Sequence, residues 1–128
     1  MPTHNNWTKR SLLLALFLLI AVQGQGSLGQ DDSTIEVKVG QEFIVTLDAN
    51  HTTGYQWALA EPLNEKIVKL VSAVYSLPKT KHLGQGGTEI WAFKAVGKGQ
   101  IIMKLNYARS WERGRPSKKM NYVVQVVD

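Results

Sequence analysis

The sequence predicts an all-β protein, an immunoglobulin-like seven-stranded two-sheet sandwich. Apolar and polar residues alternate with a period of two in one segment after another, and turn-forming residues separate these segments. No long stretch shows a helical period. Seven short strands in roughly 100 residues are typical of a two-sheet sandwich. A small closed barrel has the same alternation and is the competing fold.

Each predicted strand has one apolar face. In the first strand Ile35 and Val37 alternate with polar residues, and in the last Tyr122 and Val124 do so. The segment 67–77 is longer and mixed, which predicts a bend or a β-bulge. In chain order the predicted strands are residues 34–39, 42–48, 55–60, 67–77, 88–96, 100–108 and 120–127.

The N-terminal region has the composition of a secretory signal peptide. Lys9 and Arg10 precede an apolar run from Leu12 to Val22, and small and polar residues follow. A run of this length is too short for a membrane-spanning helix, which needs about 20 residues; an uncleaved anchor is the alternative. We predict a signal peptide at 1–26, a flexible lead-in at 27–33 and one domain at 34–128, secreted or periplasmic.

Composition excludes several functions. The chain has no cysteine, which rules out disulfides, a thiolate nucleophile and thiolate metal ligands. Its net charge of +5 falls to +3 when Lys9 and Arg10 leave with the signal peptide. So mild a charge argues against a nucleic-acid partner. We expect a monomer that does not bind membranes once the signal peptide is removed.

Three of the six connections between predicted strands have unusual sequences. The second contains NHTTG, the fourth contains LGQGG, and the sixth is RSWERGRPSK. If successive strands run up and down, alternate connections emerge at the same end of the sandwich. We therefore expect these three loops at one pole, and loops on a rigid scaffold commonly carry binding residues.

Catalysis and metal binding are weakly supported. An arrangement of Asp48, His51 and a serine lacks the strained serine turn of a nucleophile elbow. His51 and His82, without cysteine or a carboxylate at ligand spacing, do not match a zinc site. LGQGG lacks the lysine and following helix of a phosphate-binding loop. The sequence thus predicts a protein that is not an enzyme and that needs no cofactor or metal.

Arg109 and Trp111 indicate a binding surface. A tryptophan in a polar, arginine-rich loop exposes a large apolar area unless it packs inward or meets a partner. Tryptophan and arginine are also the residue types most often found as binding hot spots. Inward packing of Trp111 is the alternative.

Taken together, the three loops resemble the motifs of the chagasin family, proteinaceous inhibitors of papain-like cysteine peptidases. In that family an Asn-Pro-Thr-Thr-Gly-aromatic loop, a Gly-x-Gly-Gly loop and an Arg-Pro-aromatic loop occur in this order. Each motif alone is weak, but three in order on alternate loops are specific. The matching residues are Asn50, His51, Thr52, Thr53, Gly54 and Tyr55, then Gly84, Gln85, Gly86 and Gly87, then Arg109, Ser110 and Trp111.

The resemblance implies reversible, tight-binding inhibition of a papain-like cysteine peptidase, with no chemistry by the inhibitor. The second loop would enter the active-site cleft with Thr52 and Thr53 closest to the catalytic residues. The glycine loop would lie along the enzyme's edge through its backbone, and Arg109 with Trp111 would contact the opposite wall. A loop held rigidly without an aligned scissile bond fills the cleft and is not cleaved.

Two positions depart from the family pattern, since His51 and Ser110 stand where the family has proline. Proline fixes φ, so its loss costs about 0.4–1 kcal/mol of preorganisation per loop. We therefore expect a softer inhibitor, in which His51→Pro should tighten binding. The alternative function is an exported β-sandwich adhesion or carbohydrate-binding module that uses the same loops, with Trp111 and Tyr55 as stacking platforms.

Overall fold

The computed structural model of the chain describes residues 20–23, 29–79 and 82–128. These residues form β-strands and a single turn of 3-10 helix, η1, in the order that follows. The elements are β1 (Ile20–Gln23), β2 (Gly29–Lys38), β3 (Glu42–Ala49), η1 (His51–Thr53), β4 (Tyr55–Leu59), β5 (Val68–Ser76), β6 (Gly87–Ala95), β7 (Gly99–Arg109) and β8 (Lys118–Val127).

The strands form two sheets. One sheet has the order β1-β3-β6-β5 and the other β2-β8-β7-β4. Neighbouring strands are antiparallel except for the pairs β1 with β3 and β2 with β8. The seven predicted strands correspond to β2–β8, which confirms the all-β, immunoglobulin-like two-sheet sandwich. In the described part of the chain the sheets stay separate, so the closed barrel does not form.

The core lies between the sheets and consists of the apolar faces that the alternation predicts. Phe43 and Phe93 are paired across β3 and β6, and their rings stack with centroids 5.3 Å apart. Met103 and Tyr122, paired across β7 and β8, are fully buried in the same cluster. Burying one side chain of this kind stabilises the fold by roughly 1.5–3 kcal/mol. The core thus gives the loops a rigid support.

The N-terminal part differs from the expected flexible lead-in at 27–33, because β2 begins at Gly29 and pairs with β8 along its length. Strand pairing uses backbone groups, which polar residues supply as well as apolar ones. Residues 1–19 and 24–28 lie outside the described residues. Within the expected signal peptide, Ile20–Gln23 forms β1 and pairs with β3. No helix among the described residues is long and apolar enough to span a bilayer.

Strand β5 contains the irregularity predicted for segment 67–77. Its pairing with β6 skips a residue between Leu70 and Ser72, which places a β-bulge at Val71. It is an edge strand, and Val68 is its only buried residue.

Strand register brings the three unusual loops to one end of the sandwich. Ala49 pairs with Gly87, and Tyr55 pairs with Arg109, so the connections that follow β3, β5 and β7 emerge together. We call them the threonine loop (residues 50–54), the glycine loop (82–86) and the tryptophan loop (110–117). Together they form the loop edge.

Candidate functional site

Asn50 organises the threonine loop. It caps η1 with extended backbone angles, φ −132° and ψ 95°, and its Oδ1 accepts a hydrogen bond from the Thr52 amide at 3.1 Å. The Thr52 hydroxyl donates to the same oxygen at 2.5 Å, and the Thr53 hydroxyl donates to the Asn50 carbonyl at 2.7 Å. Both threonine side chains remain exposed. The loop is therefore tied down from within while its apex faces solvent.

Asn50 also joins this loop to its neighbours. Its backbone amide donates to the Tyr107 hydroxyl at 2.8 Å, and its side-chain amide donates to the Gly84 carbonyl at 3.0 Å. Tyr107 is buried on β7, whereas Gly84 lies at the exposed tip of the glycine loop. One residue thus fixes the threonine loop to the core and to the second loop.

Gly54 and Trp111 form the contact with the third loop. Gly54 ends η1 in the left-handed region with φ +83°, a conformation that favours glycine. A Cβ at this position would overlap the indole of Trp111. Trp111 as a whole still has 67 % of its surface exposed. Trp111 therefore covers the end of the threonine loop and presents its remaining surface to solvent, so full inward packing does not occur.

Arg109 strengthens this link. Its Nε donates to the Thr53 carbonyl at 2.9 Å, and its Nη1 donates to Glu112 Oε1 at 2.8 Å. The guanidinium also lies 4.4 Å above the Tyr55 ring and 5.9 Å from the Trp111 ring. The hydrogen bond to Glu112 raises the pKa of Arg109 above its ordinary value, although desolvation opposes the rise. Arg109 therefore stays cationic at every physiological pH.

The glycine loop is closed by its own side chain. The side-chain Oε1 of Gln85 accepts a hydrogen bond from the backbone amide of His82 at 2.7 Å. The backbone amide of Gln85 donates to the His82 carbonyl at 3.0 Å. A Cβ at Gly86 would lie 2.9 Å from the Ala49 carbonyl oxygen, so glycine permits this loop to approach the end of β3. At Gly86 the absence of a side chain therefore serves a contact within the molecule.

An apolar tip accompanies the glycine loop. Leu83 is fully exposed and borders a groove of about 340 Å³ whose other walls include Thr52, Tyr75 and Leu77. Sequence reasoning did not select Leu83, although an isolated leucine beside a run of glycines and polar residues was a usable signal.

His51 is held by contacts with β5 and β6. Its ring stacks on Tyr75 with centroids 3.6 Å apart and an interplanar angle of 14°, and its Nε2 lies 2.9 Å from Glu89 Oε2. Sequence reasoning missed Glu89. The available signal was a carboxylate on the inward face of β6, in alternation with Trp91 and Phe93.

The structure brings every residue of the three motifs to the loop edge or to the adjoining strand ends, and the residues differ in exposure. Some members are exposed at the surface of the edge, and the rest support them from below. The exposed members are Thr52, Thr53, Gly84, Ser110 and Trp111. The partly buried members are Asn50, His51, Gly54, Tyr55, Gln85, Gly86, Gly87 and Arg109. Across the described ranges, no group of three or more histidine, aspartate or glutamate residues could hold a metal ion.

Comparison with known proteins places the chain in a family. The profile of the chagasin family of peptidase inhibitors, I42, matches residues 36–126. Chagasin from Trypanosoma cruzi is 34 % identical over 83 residues, which are 62 % of this chain and 74 % of chagasin.

Solved structures of other inhibitors share the fold. The cysteine protease inhibitor EhICP2 from Entamoeba histolytica has a TM-score of 0.72 at 20 % identity, covering 85 % of this chain and 96 % of that one. PbICP-C, solved in complex with falcipain-2, has a TM-score of 0.55 at 20 % identity and covers 84 % of this chain and 99 % of that one. With the motifs gathered on one edge of this sandwich, the chain belongs to the chagasin family, whose members are peptidase inhibitors and not enzymes.

Proposed function

We propose that this protein is a reversible, tight-binding inhibitor of papain-like cysteine peptidases and that its loop edge fills the active-site cleft. One observation carries the proposal: Asn50, Arg109 and the Gly54–Trp111 contact join three loops that are distant in sequence into a single edge. PbICP-C, which has the same fold, was solved in complex with falcipain-2. A cysteine peptidase is therefore the partner that the family suggests.

The geometry suits blockade without cleavage. Peptide hydrolysis requires a scissile carbonyl held close to the nucleophile in aligned geometry. The backbone from Asn50 to Gly54 is instead curled into one helical turn, with its carbonyls at Asn50, His51 and Thr53 already accepting hydrogen bonds. A substrate is bound as an extended strand, so this turn cannot align a peptide bond with the nucleophile. The cleft is occupied, and the chain stays intact.

Rigidity favours affinity at this edge. Binding costs free energy for every loop and side chain that must be ordered, about 0.5–1.5 kcal/mol for each flexible side chain. Here Thr52, Thr53 and Arg109 already make hydrogen bonds in the free protein. Trp111 and Leu83 add exposed apolar surface on the two flanks of the threonine apex. Trp111 and Arg109 are of the residue types that are enriched in binding hot spots.

The adhesion or carbohydrate-binding alternative has weaker support. It needs exposed aromatic faces at Trp111 and Tyr55. The Tyr55 ring stacks on Tyr107 with centroids 5.1 Å apart and also carries the Arg109 guanidinium. Only Trp111 remains available as a platform.

Titration of papain with the purified chain tests the proposal. We expect complete inhibition at one equivalent, and we expect Thr53→Arg to abolish it because a long cation would replace the small apex. Thr34→Arg is the matched control, since Thr34 is an exposed threonine on β2. No inhibition by micromolar wild-type chain, or equal inhibition by both variants, would refute the proposed function.

We also propose that the protein is exported, with residues 1–26 acting as its signal peptide. The charged, apolar and then small-residue order of this segment supports the proposal. Expression of the full chain in a Gram-negative host, followed by N-terminal sequencing of the periplasmic fraction, tests it. We expect a new N-terminus near residues 25–27. Recovery only from the cytoplasm with Met1 intact would contradict export.

A further inference from the structure

Glu89 is a buried carboxylate that hydrogen-bonds to the threonine loop and to residues of strands β4 and β6 beside it. It retains only 6 % of its surface. One oxygen accepts from the Trp91 indole at 3.0 Å. The other accepts from the Trp57 amide at 3.0 Å and lies 2.9 Å from His51 Nε2. A buried charge is costly unless it is paired and hydrogen-bonded, and here donors from β4, β6 and η1 surround it.

The His51 ring is held on two sides. An ionised Glu89 only accepts hydrogen bonds, so in that state Nε2 of the ring is the donor. The ring face packs on Tyr75, whose hydroxyl lies 3.4 Å from both the His51 amide and the Ala49 carbonyl. His51 is thus held through its ring edge, its ring face and its backbone.

These contacts reach the part of the loop that is exposed. His51 is the first residue of η1, and the next two residues are Thr52 and Thr53 at the apex. The Glu89 carboxylate itself lies beneath the surface of the loop edge. Of the three groups that hydrogen-bond to Glu89, only His51 belongs to the threonine loop.

We propose that Glu89 is a positioning residue for inhibition, which holds His51 and thereby fixes the threonine loop in the conformation that binds the peptidase. This inference rests on the proposed function. The contact between His51 and Glu89, which we call the anchor, would restrain the loop in place of a proline ring at position 51. Proline restricts its own φ and the backbone of the preceding residue, whereas the His51 ring connects the loop to β5 and β6.

The anchor should act on association. When a loop is competent only part of the time, the observed affinity falls by the competent fraction. Loss of a direct enzyme contact acts mainly on the dissociation rate instead. Since Glu89 is buried in the free inhibitor and His51 Nε2 is hydrogen-bonded to it, weakening this contact should slow binding and leave dissociation nearly unchanged.

His51→Gln and His51→Asn provide a matched pair of variants. The glutamine amide nitrogen can occupy the place of Nε2 and donate to Glu89, whereas the asparagine amide is one bond too short. Both lack proline, and both are polar. We expect His51→Gln to associate with papain within about threefold of wild type and His51→Asn about tenfold more slowly, with dissociation rates within about twofold, as the strength of a hydrogen bond to a charged group predicts.

The outcomes are separable. If the wild-type chain inhibits papain and the two variants associate with it equally fast, the role of Glu89 is refuted. It is also refuted if His51→Asn differs from wild type only in its dissociation rate. Failure of the wild-type chain to inhibit would overturn the proposed function instead, and the anchor would then be judged by nuclear magnetic resonance of the His51 ring. A proton on Nε2 in wild type, with a ring signal that shifts in Glu89→Gln, supports the anchor. A proton on Nδ1 alone refutes it.

Discussion

The indole of Trp111 lies against the α-carbon of Gly54, in a space that any side chain at position 54 would fill. Gly54 ends the threonine loop, and Trp111 belongs to the tryptophan loop. The motif glycine therefore has two functions: it adopts φ +83°, and it admits the aromatic residue of another motif. Gly54 therefore joins the threonine loop to the tryptophan loop, which makes the loop edge continuous between them.

Gly54→Ala should weaken inhibition. An L-residue in the left-handed region costs about 1–2 kcal/mol, and the new methyl group would also displace the indole. We expect Ki for papain to rise about tenfold or more. Gly40→Ala is the control, because Gly40 has a similar φ of +90°, no neighbour within 4 Å of an added Cβ, and a position in the β2–β3 turn. It should lower thermal stability and leave Ki unchanged; equal effects on Ki would argue against the Trp111 contact.

Arg109→Lys should weaken inhibition although charge is kept. Lysine cannot reproduce the planar fork that joins the Thr53 carbonyl to Glu112, and we expect Ki to rise about threefold to tenfold. Arg113→Lys, an exposed arginine in the same part of the chain, should change Ki little. Similar losses from both would indicate that arginine at either site contacts the enzyme directly.

Arg109 should contribute no pH dependence. Its pKa in the folded protein is raised above the ordinary arginine value. The stabilisation from the charged form is therefore complete at any pH below the ordinary pKa, and it is lost only as pH rises through the raised pKa of the folded protein. The ratio of Ki values for Arg109→Lys and wild type should therefore be constant from pH 5 to pH 8. A ratio that changes across this range would show that another titrating group acts through Arg109.

His51→Pro should weaken inhibition, contrary to the expectation from sequence alone. Proline restores about 0.4–1 kcal/mol of backbone restriction. It also removes the hydrogen bond to Glu89, and a bond of this kind to a charged group contributes about 1.5–3 kcal/mol. The second effect is larger, so Ki should rise several-fold. Tighter inhibition by His51→Pro would mean that the anchor contributes less than the proline ring.

Leu83→Ala should reduce affinity for the peptidase while leaving stability unchanged. Leu83 is fully exposed in the free protein, so its apolar surface gains free energy only if a partner covers it. Complete burial against the enzyme would be worth about 1.5–3 kcal/mol. Leu70→Ala makes the same change on β5 and should not alter Ki. Unchanged inhibition by Leu83→Ala would place this tip outside the interface.

Much of this architecture could be predicted from the sequence. Alternation at Phe43, Phe93, Met103 and Tyr122 identified the buried faces, and an up-and-down chain path placed the three loops together. The start of β2 could not be predicted, because residues 29–33 pair through their backbone and show no apolar alternation.

Side-chain pairing across the fold was also out of reach. The sequence marks His51 as a departure from a motif and Glu89 as one more carboxylate, 38 positions apart. Only the antiparallel register of β3 and β6 and the stack on Tyr75 bring them into contact. His51, which looked in the sequence like the loss of a rigid proline, therefore restrains the loop through its contacts with Glu89 and Tyr75.

Binding to papain with a filled cleft tests the central claim most directly. The chain should be measured against free papain, papain whose catalytic cysteine carries a small methylthio group, and papain whose cleft is filled by a bulky covalent inhibitor. Because the inhibitor performs no chemistry, the first two should bind with similar affinity. The filled enzyme should bind at least about hundredfold more weakly. Equal binding to the free and filled enzymes would show that the loop edge does not occupy the cleft.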